Sequence, residues 1–114
     1  MLHIEKPTAE VETGRKTPYA FADTGVEQTL NEWDRRGINR KKLKISLAGG
    51  ACLPKADNQV ADESEYYLGR WNYSAVRRAL WRKGVLIERQ DVGGSYSRSL
   101  ILSVADGNVM ITRE

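Results

Sequence analysis

The organisation of this chain is clearest in residues 43–51, which read Leu43-Lys44-Ile45-Ser46-Leu47-Ala48-Gly49-Gly50-Ala51. Apolar and polar side chains alternate through the first five positions, which predicts a strand with one buried face. Two adjacent glycines follow where this strand ends. Because glycine tolerates backbone angles and close contacts that other residues do not, the pair predicts a sharp turn or the close approach of another segment.

A helix is predicted on each side of this strand. Thr17-Pro18 is typical of a helix start, and Gly37 of a helix end. Between them, four side chains at helical spacing form an apolar face. They are Ala22, Val26, Leu30 and Trp33. The second helix is predicted to begin with Asn72 as its N-cap and to end before Gly84. Its predicted core face is Tyr73, Val76, Ala79 and Leu80, with Trp81 lying off that face.

Three further strands are predicted after the second helix, within residues 85–92, 97–104 and 109–112, and Asp106-Gly107-Asn108 predicts a hairpin turn between the last two. Residues 1–5 are interpreted as a short strand, and residues 6–17 and 53–68 as loops. This order predicts a layered α/β (α+β) single domain over residues 1–114. Its two helices would pack on a mostly antiparallel or mixed sheet.

Composition limits the class of protein. The chain has 114 residues, 40% of them apolar, which suits one globular domain with its own core. Its apolar runs are far too short to cross a bilayer, so no membrane insertion is expected. The sequence opens without a signal-peptide pattern, and Cys52 is its single cysteine, so an internal disulfide is excluded. We expect a cytoplasmic protein.

Charge is distributed unevenly along the chain. Residues 1–34 carry three basic and seven acidic side chains, a net −4, whereas residues 35–114 carry fifteen basic and eight acidic, a net +7. The basic side chains cluster in residues 35–44 and 77–83. Such clusters are commonly solvated faces and helix ends, although they can also meet an acidic partner or nucleic acid.

Side chains able to carry catalysis are few. His3 is the only histidine and Cys52 the only cysteine, so they form the one cysteine–histidine dyad that the sequence permits. The simpler interpretation of Cys52 is a small, half-buried apolar residue. Metal ligands are not clustered, and the paired glycines do not match phosphate-binding loops, so no cofactor is predicted.

Four segments together resemble the CheD family, the chemoreceptor glutamine deamidases of chemotaxis. Residues 21–26 are similar to the helix-opening segment, 43–51 to the strand ending in Gly-Gly-Ala, 68–72 to Ile-Gly-x-x-Asn, and 91–98 to Asp-x-Gly-Gly-x-x-Gly-Arg. Ser97 departs from the last glycine of that motif. Residues 1–7 also match the family's Met-x-His segment with proline four residues after the histidine.

The resemblance implies an enzyme that converts glutamine to glutamate on methyl-accepting chemoreceptors, with His3 as the catalytic histidine. The family's nucleophilic cysteine lies in a Gly-Ser-Cys segment upstream of that histidine. We therefore expect an N-terminally truncated CheD-like domain that is inactive unless it is completed upstream. The implied partners are the cytoplasmic helices of the chemoreceptors and a CheC-type phosphatase.

Two alternatives remain open at this point. A short chain could act without catalysis, as a binder of the receptor or of the phosphatase. Alternatively, residues 72–112 resemble a basic helix followed by a two-stranded wing, which would suit a small nucleic-acid-binding module. The acidic first helix and the lack of a complete helix-turn-helix pattern make nucleic acid the less favoured partner.

Overall fold

The computed structural model describes residues 1–9, 17–52 and 66–114. In this part of the chain, two α-helices and four strands confirm the predicted combination of helices and sheet. Short 3-10 turns precede α1 and β1. The elements in chain order are α1 (Ala22–Arg35), β1 (Ile45–Gly49), α2 (Leu68–Arg82), β2 (Ile87–Val92), β3 (Arg98–Leu102) and β4 (Val109–Arg113). Neither described helix is long and apolar enough to cross a membrane.

The described strands form two small sheets. β1 and β2 pair in parallel, with Ile45 opposite Ile87 and Gly49 opposite Val92. β3 and β4 pair as an antiparallel hairpin. Gly93 and Gly94, with φ of 80° and 69°, turn the chain between the two pairs, so β3 does not extend the β2 ladder. The single mixed sheet expected from the sequence is therefore divided at these glycines in the described residues.

The core lies between the helices and the parallel strands. Val26 and Leu30 of α1 pack with Leu80 of α2 and with Val85, and all four are buried. Trp33, Val76, Ala79 and the inward side chains of β1 and β2 close around them. Each such aliphatic side chain contributes about 1.5–3 kcal/mol when it leaves water. The predicted apolar faces of both helices are thus confirmed, and Trp81 lies off the core, 77% exposed.

The first helix begins later than the sequence predicted. Residues Pro18–Ala20 form a 3-10 turn, and Phe21 is extended, with φ −114° and ψ 140°, at the N-cap of α1. Lys6 forms a parallel β-bridge with Phe21, and the Ala22 amide donates to the Lys6 carbonyl oxygen at 3.0 Å. This pairing with the N-terminal segment holds Phe21 in the extended conformation, so the helix starts only at Ala22.

The second helix begins earlier than predicted. Asn72 was expected to be its N-cap, but α2 starts at Leu68 and Asn72 lies inside it. The Asn72 side chain instead donates to the Glu5 carbonyl oxygen at 3.1 Å. The Asn72 amide, which the sequence pattern predicted to cap the helix, therefore makes a long-range contact with Glu5 instead. Most of the loop predicted over residues 53–68, and part of the loop over 6–17, lies outside the described residues.

The N-terminal segment is only partly a strand. Residues 1–5 have no regular structure, and the β-bridge is confined to Lys6. At the other end of the chain, the predicted turn at Asp106-Gly107-Asn108 is confirmed. The Ser103 amide donates to the Asn108 carbonyl oxygen at 2.8 Å, and Gly107 has a φ of 76°.

Candidate functional site

The segment that carries His3 is fixed to the start of α1 by backbone hydrogen bonds. The Glu5 amide donates to the Ala20 carbonyl oxygen at 2.7 Å, and the Asp23 amide donates to the Pro7 carbonyl oxygen at 3.3 Å. Gly25 lies close to this segment and to the turn before α1, because a Cβ there would lie 3.4 Å from Ile4 Cδ1 and 3.2 Å from the Tyr19 carbonyl oxygen. Residues 4–7 are therefore anchored to the body of the domain.

His3 itself is exposed, one residue before the anchored stretch. Its imidazole makes no hydrogen bond to another described residue, so the ring is accessible to a substrate or to a neighbouring catalytic group. An accessible imidazole next to a fixed backbone is a suitable arrangement for accepting and returning a proton.

Asn72 joins α2 to the segment that carries His3. Its Nδ2 donates to the Glu5 carbonyl oxygen, which fixes the orientation of the amide, because the opposite orientation would place two oxygens together. The Oδ1 atom is then buried and has no hydrogen-bond partner in the described part of the chain. A buried acceptor without a partner is costly, so the Asn72–Glu5 contact is made at the expense of this oxygen.

The two glycine motifs 43–51 and 68–72 meet where β1 ends and α2 begins. A Cβ on Gly69 would lie 2.4 Å from the Ala51 carbonyl oxygen, and a Cβ on Gly50 would lie 3.1 Å from the Gly69 carbonyl oxygen. Gly50 also has a φ of 64°, which favours glycine. The sequence predicted that another segment approaches the paired glycines closely, and this is confirmed. The approaching segment is the start of α2.

The motif of residues 91–98 is held together by a buried arginine. The side chain of Arg98 is 1% exposed and forms a salt bridge with Asp91, with Nε 3.0 Å from Oδ1. It also donates to the Gly49 carbonyl oxygen at 3.2 Å. On the surface, Arg113 reaches the same carboxylate at 3.3 Å. The hydrogen bond from Arg113, followed by that from Arg98, lowers the pKa of Asp91.

Cys52 lies next to this motif and is half-buried, with a free thiol, as predicted. Its amide donates to the Gly94 carbonyl oxygen at 2.9 Å, while the Gly93 amide donates to the Gly49 carbonyl oxygen at 2.9 Å. These bonds fix the backbone between the end of β1 and the Gly93-Gly94 turn. No hydrogen bond joins Cys52 to His3 among the described residues, nor does any cluster of metal-ligating side chains appear there.

Sequence reasoning missed two of these arrangements. It treated Asn72 as a helix cap, and it gave no role to the pair of Asp91 and Arg98. The signal for the pair was present in the seven-residue spacing across a Gly-Gly turn, which brings the two side chains back towards each other. For Asn72 no local signal exists, because its partner is 67 residues away in the sequence.

Known proteins are similar to this chain along most of its length. The sequence model of the family described as CheD chemotactic sensory transduction matches residues 5–113, and His3 lies two residues before that range. A probable chemoreceptor glutamine deamidase CheD of Solibacter usitatus is 34% identical over 113 residues, covering 97% of this chain and 63% of the relative. Its counterpart in Methanococcus vannielii is also 34% identical over 113 residues, covering 99% of this chain and 70% of that relative.

A third relative of the same name, from Symbiobacterium thermophilum, is 32% identical over 113 residues, covering 98% of this chain and 67% of its own length. The chain therefore spans about two thirds of the length of these relatives. Since the family match runs through every described helix and strand, the chain belongs to the CheD family.

Proposed function

We propose that the protein to which this chain belongs is a cytoplasmic chemoreceptor glutamine deamidase. The observation that carries the proposal is the CheD match over residues 5–113, supported by relatives that bear this name. Its substrates are glutamine side chains on the cytoplasmic helices of chemoreceptors. A CheC-type phosphatase is the second partner that the family resemblance implies.

The reaction is an acyl transfer at a side-chain amide. A cysteine thiolate attacks the carboxamide carbon, the carbon–nitrogen bond breaks, and the nitrogen leaves as ammonia after it has gained a proton. Water then hydrolyses the thioester, which gives glutamate and restores the thiol. In this proposal, the nucleophile is the cysteine that the family carries upstream of its histidine, not Cys52.

His3 is the proposed general base. It takes the proton of the thiol and returns a proton to the leaving nitrogen, so the proton count balances across the first step. The exposure of His3 and the anchored backbone of residues 4–7 support this role, since a base must be both accessible and positioned. Asn72 is the proposed positioning residue, because it holds the Glu5 carbonyl two residues further along.

The test is direct deamidation of a receptor. The protein as produced in its native cell is incubated with the helical cytoplasmic fragment of a chemoreceptor, and each glutamine-to-glutamate conversion is located by peptide mass spectrometry. Conversion at defined glutamines is expected. A folded protein that leaves every receptor glutamine intact would contradict the proposal.

The isolated 114-residue chain is expected to give no conversion in the same assay, because the proposed nucleophile is not among its residues. Binding of the chain to the receptor fragment without conversion is the outcome that the non-catalytic alternative predicts. Turnover by the isolated chain would instead favour a Cys52–His3 dyad. In that case Cys52→Ser should abolish the turnover.

A further inference from the structure

The outward side of α2 is both basic and aromatic. Six of its exposed side chains are arginine or tryptophan, and no residue of the helix is acidic. These six are Arg70, Trp71, Arg77, Arg78, Trp81 and Arg82. We call this surface the α2 face. Solvated helix faces usually mix both signs of charge, so a helix surface with cations and no carboxylates is suited to an acidic partner.

The tryptophans of the α2 face are not needed by the core. Trp71 is 44% exposed and Trp81 is 77% exposed, while Leu80 and the neighbouring Val76 and Ala79 provide the inward side of the helix. Large exposed aromatic side chains next to arginine are the residue types enriched in the centres of protein interfaces.

A groove adjoins the C-terminal end of the α2 face. It has a volume of about 420 Å³ and lies between Arg77 and Trp81 on one side and Leu86 and Arg89 on the other. Leu86 is 76% exposed, so the groove offers apolar surface at both walls. Among the described residues that line it, Glu88 is the acidic one, against Arg77 and Arg89.

We propose that the α2 face and this groove dock an acidic protein segment that carries apolar side chains. The apolar side chains would enter between Trp81 and Leu86, and the carboxylates would pair with the arginines of α2. Charge complementarity favours an acidic occupant, and the exposed side chains of Trp71, Trp81 and Leu86 favour a protein segment with apolar side chains over the phosphates of nucleic acid. The inference does not depend on the deamidase proposal.

The position of the α2 face suggests what docking could do. Trp71 is adjacent to Asn72, which contacts the segment that carries His3, whereas Trp81 is ten residues further along the helix. At 1.5 Å per residue this separation is about 15 Å. A segment lying along the α2 face would therefore extend from the groove to the candidate site, and it could hold a protein there without touching the reacting atoms.

The test uses the protein as produced in its native cell and a designed probe. The probe is a helical peptide with leucine on one face and glutamate on the others, labelled for fluorescence anisotropy. A control peptide carries lysine in place of every glutamate. We expect the glutamate peptide to bind, more weakly as salt is raised, and the lysine peptide not to bind.

Variants locate the site on the protein. Trp81→Ala and Arg77→Glu should each weaken binding at least tenfold, as expected for residues at the centre of an interface. Arg35→Glu is the matched control, since it makes the same charge change on α1. Arg36 still pairs with Glu32 in this variant. Binding should change less than twofold. Circular dichroism melts confirm that all three variants are folded.

Two results would overturn the inference. One is the absence of binding to the glutamate peptide, or binding that Trp81→Ala and Arg77→Glu leave unchanged. The other is tighter binding to a duplex oligonucleotide or to anionic lipid vesicles that is lost in the same two variants, which would assign the α2 face to a different class of partner.

Discussion

Arg98 shows how one side chain can fix a turn between two sheets. Its guanidinium contacts the Gly49 carbonyl at the end of β1, the Asp91 carboxylate in β2 and, at 4.3 Å from the centroid, the ring of Tyr96. Arg113 packs on the same ring at 4.8 Å and reaches the same carboxylate, but its side chain is 63% exposed. The two arginines therefore share the Tyr96 ring and the Asp91 carboxylate, and the buried Arg98 also donates to the Gly49 carbonyl oxygen.

We expect Arg98→Ala to lower the free energy of unfolding by about 2–4 kcal/mol, because it removes the buried partner of Asp91 and one donor to the Gly49 carbonyl oxygen, which keeps its bond from the Gly93 amide. Arg113→Ala is the control, and it should cost clearly less, since solvent screens an exposed pair. Urea unfolding of both variants measures the difference. Equal costs for the two would contradict the importance assigned to burial.

Asp91 should make the domain sensitive to acid. Its pKa is lowered in the folded protein, mainly by Arg113 and then by Arg98, relative to about 3.9 in an unfolded chain. The stabilisation is therefore present above pH 4 and is lost as the pH falls through the lower, folded value. Asp91→Asn should reduce the loss of thermal stability between pH 5 and pH 2.5, measured by melting curves. An unchanged pH dependence would show that other carboxylates, such as Glu32 and Asp106, account for it.

For individual residues, the sequence predicted which side chains are buried better than it predicted their hydrogen-bond partners. Leu30 and Trp81 were assigned correctly from helical spacing, since that spacing depends only on nearby positions. The hydrogen bond from Asn72 to Glu5 was missed because it joins residues at opposite ends of the chain. His3 was proposed from the family resemblance, and its catalytic role stays a prediction.

At the level of elements, the contact between Gly50 and Gly69 sets how closely α2 approaches the end of β1. We expect Gly69→Ala to cost about 1–3 kcal/mol, because its Cβ would overlap the Ala51 carbonyl oxygen and the backbone would have to move. Gly25→Ala is the matched control near the start of α1, where the nearest atom lies at 3.2 Å and the overlap is milder. Both substitutions gain the same helix propensity.

Chemical denaturation of the two glycine variants gives the comparison. A larger loss for Gly69→Ala is expected, whereas a gain in stability at Gly69 would mean that α2 can shift away from β1 without cost.

The elements themselves were largely predictable, and their ends were not. The alternation in residues 43–47 predicted β1, and the turn at Asp106-Gly107-Asn108 predicted the final hairpin. Both patterns are local in the sequence. The start of α1 moved to Ala22 since Lys6 pairs with Phe21, and the start of α2 moved to Leu68. The division into two sheets follows from the positive φ of Gly93 and Gly94, which the sequence marked only as a break.

At the scale of the whole molecule, motifs distant in the sequence converge at two places. Residues 43–51, 68–72 and 91–98 meet around Gly50 and Arg98, while residues 1–7 lie across the start of α1 and are linked to α2 through Asn72. This convergence is a physical reason for these four segments to occur together in the chain. It places the segment that carries His3 on the body of the domain.

The proposed deamidase activity, with His3 as its general base, is tested most directly by the rate of glutamine deamidation on a chemoreceptor fragment. The rate is compared among three forms of the protein as produced in its native cell. These are the unaltered protein, His3→Gln and Cys52→Ser. Because removal of a general base slows proton transfer, His3→Gln should lower kcat at least about 100-fold, whereas Cys52→Ser should leave the rate unchanged. Full activity of His3→Gln, or loss of activity in a folded Cys52→Ser variant, would contradict the proposal.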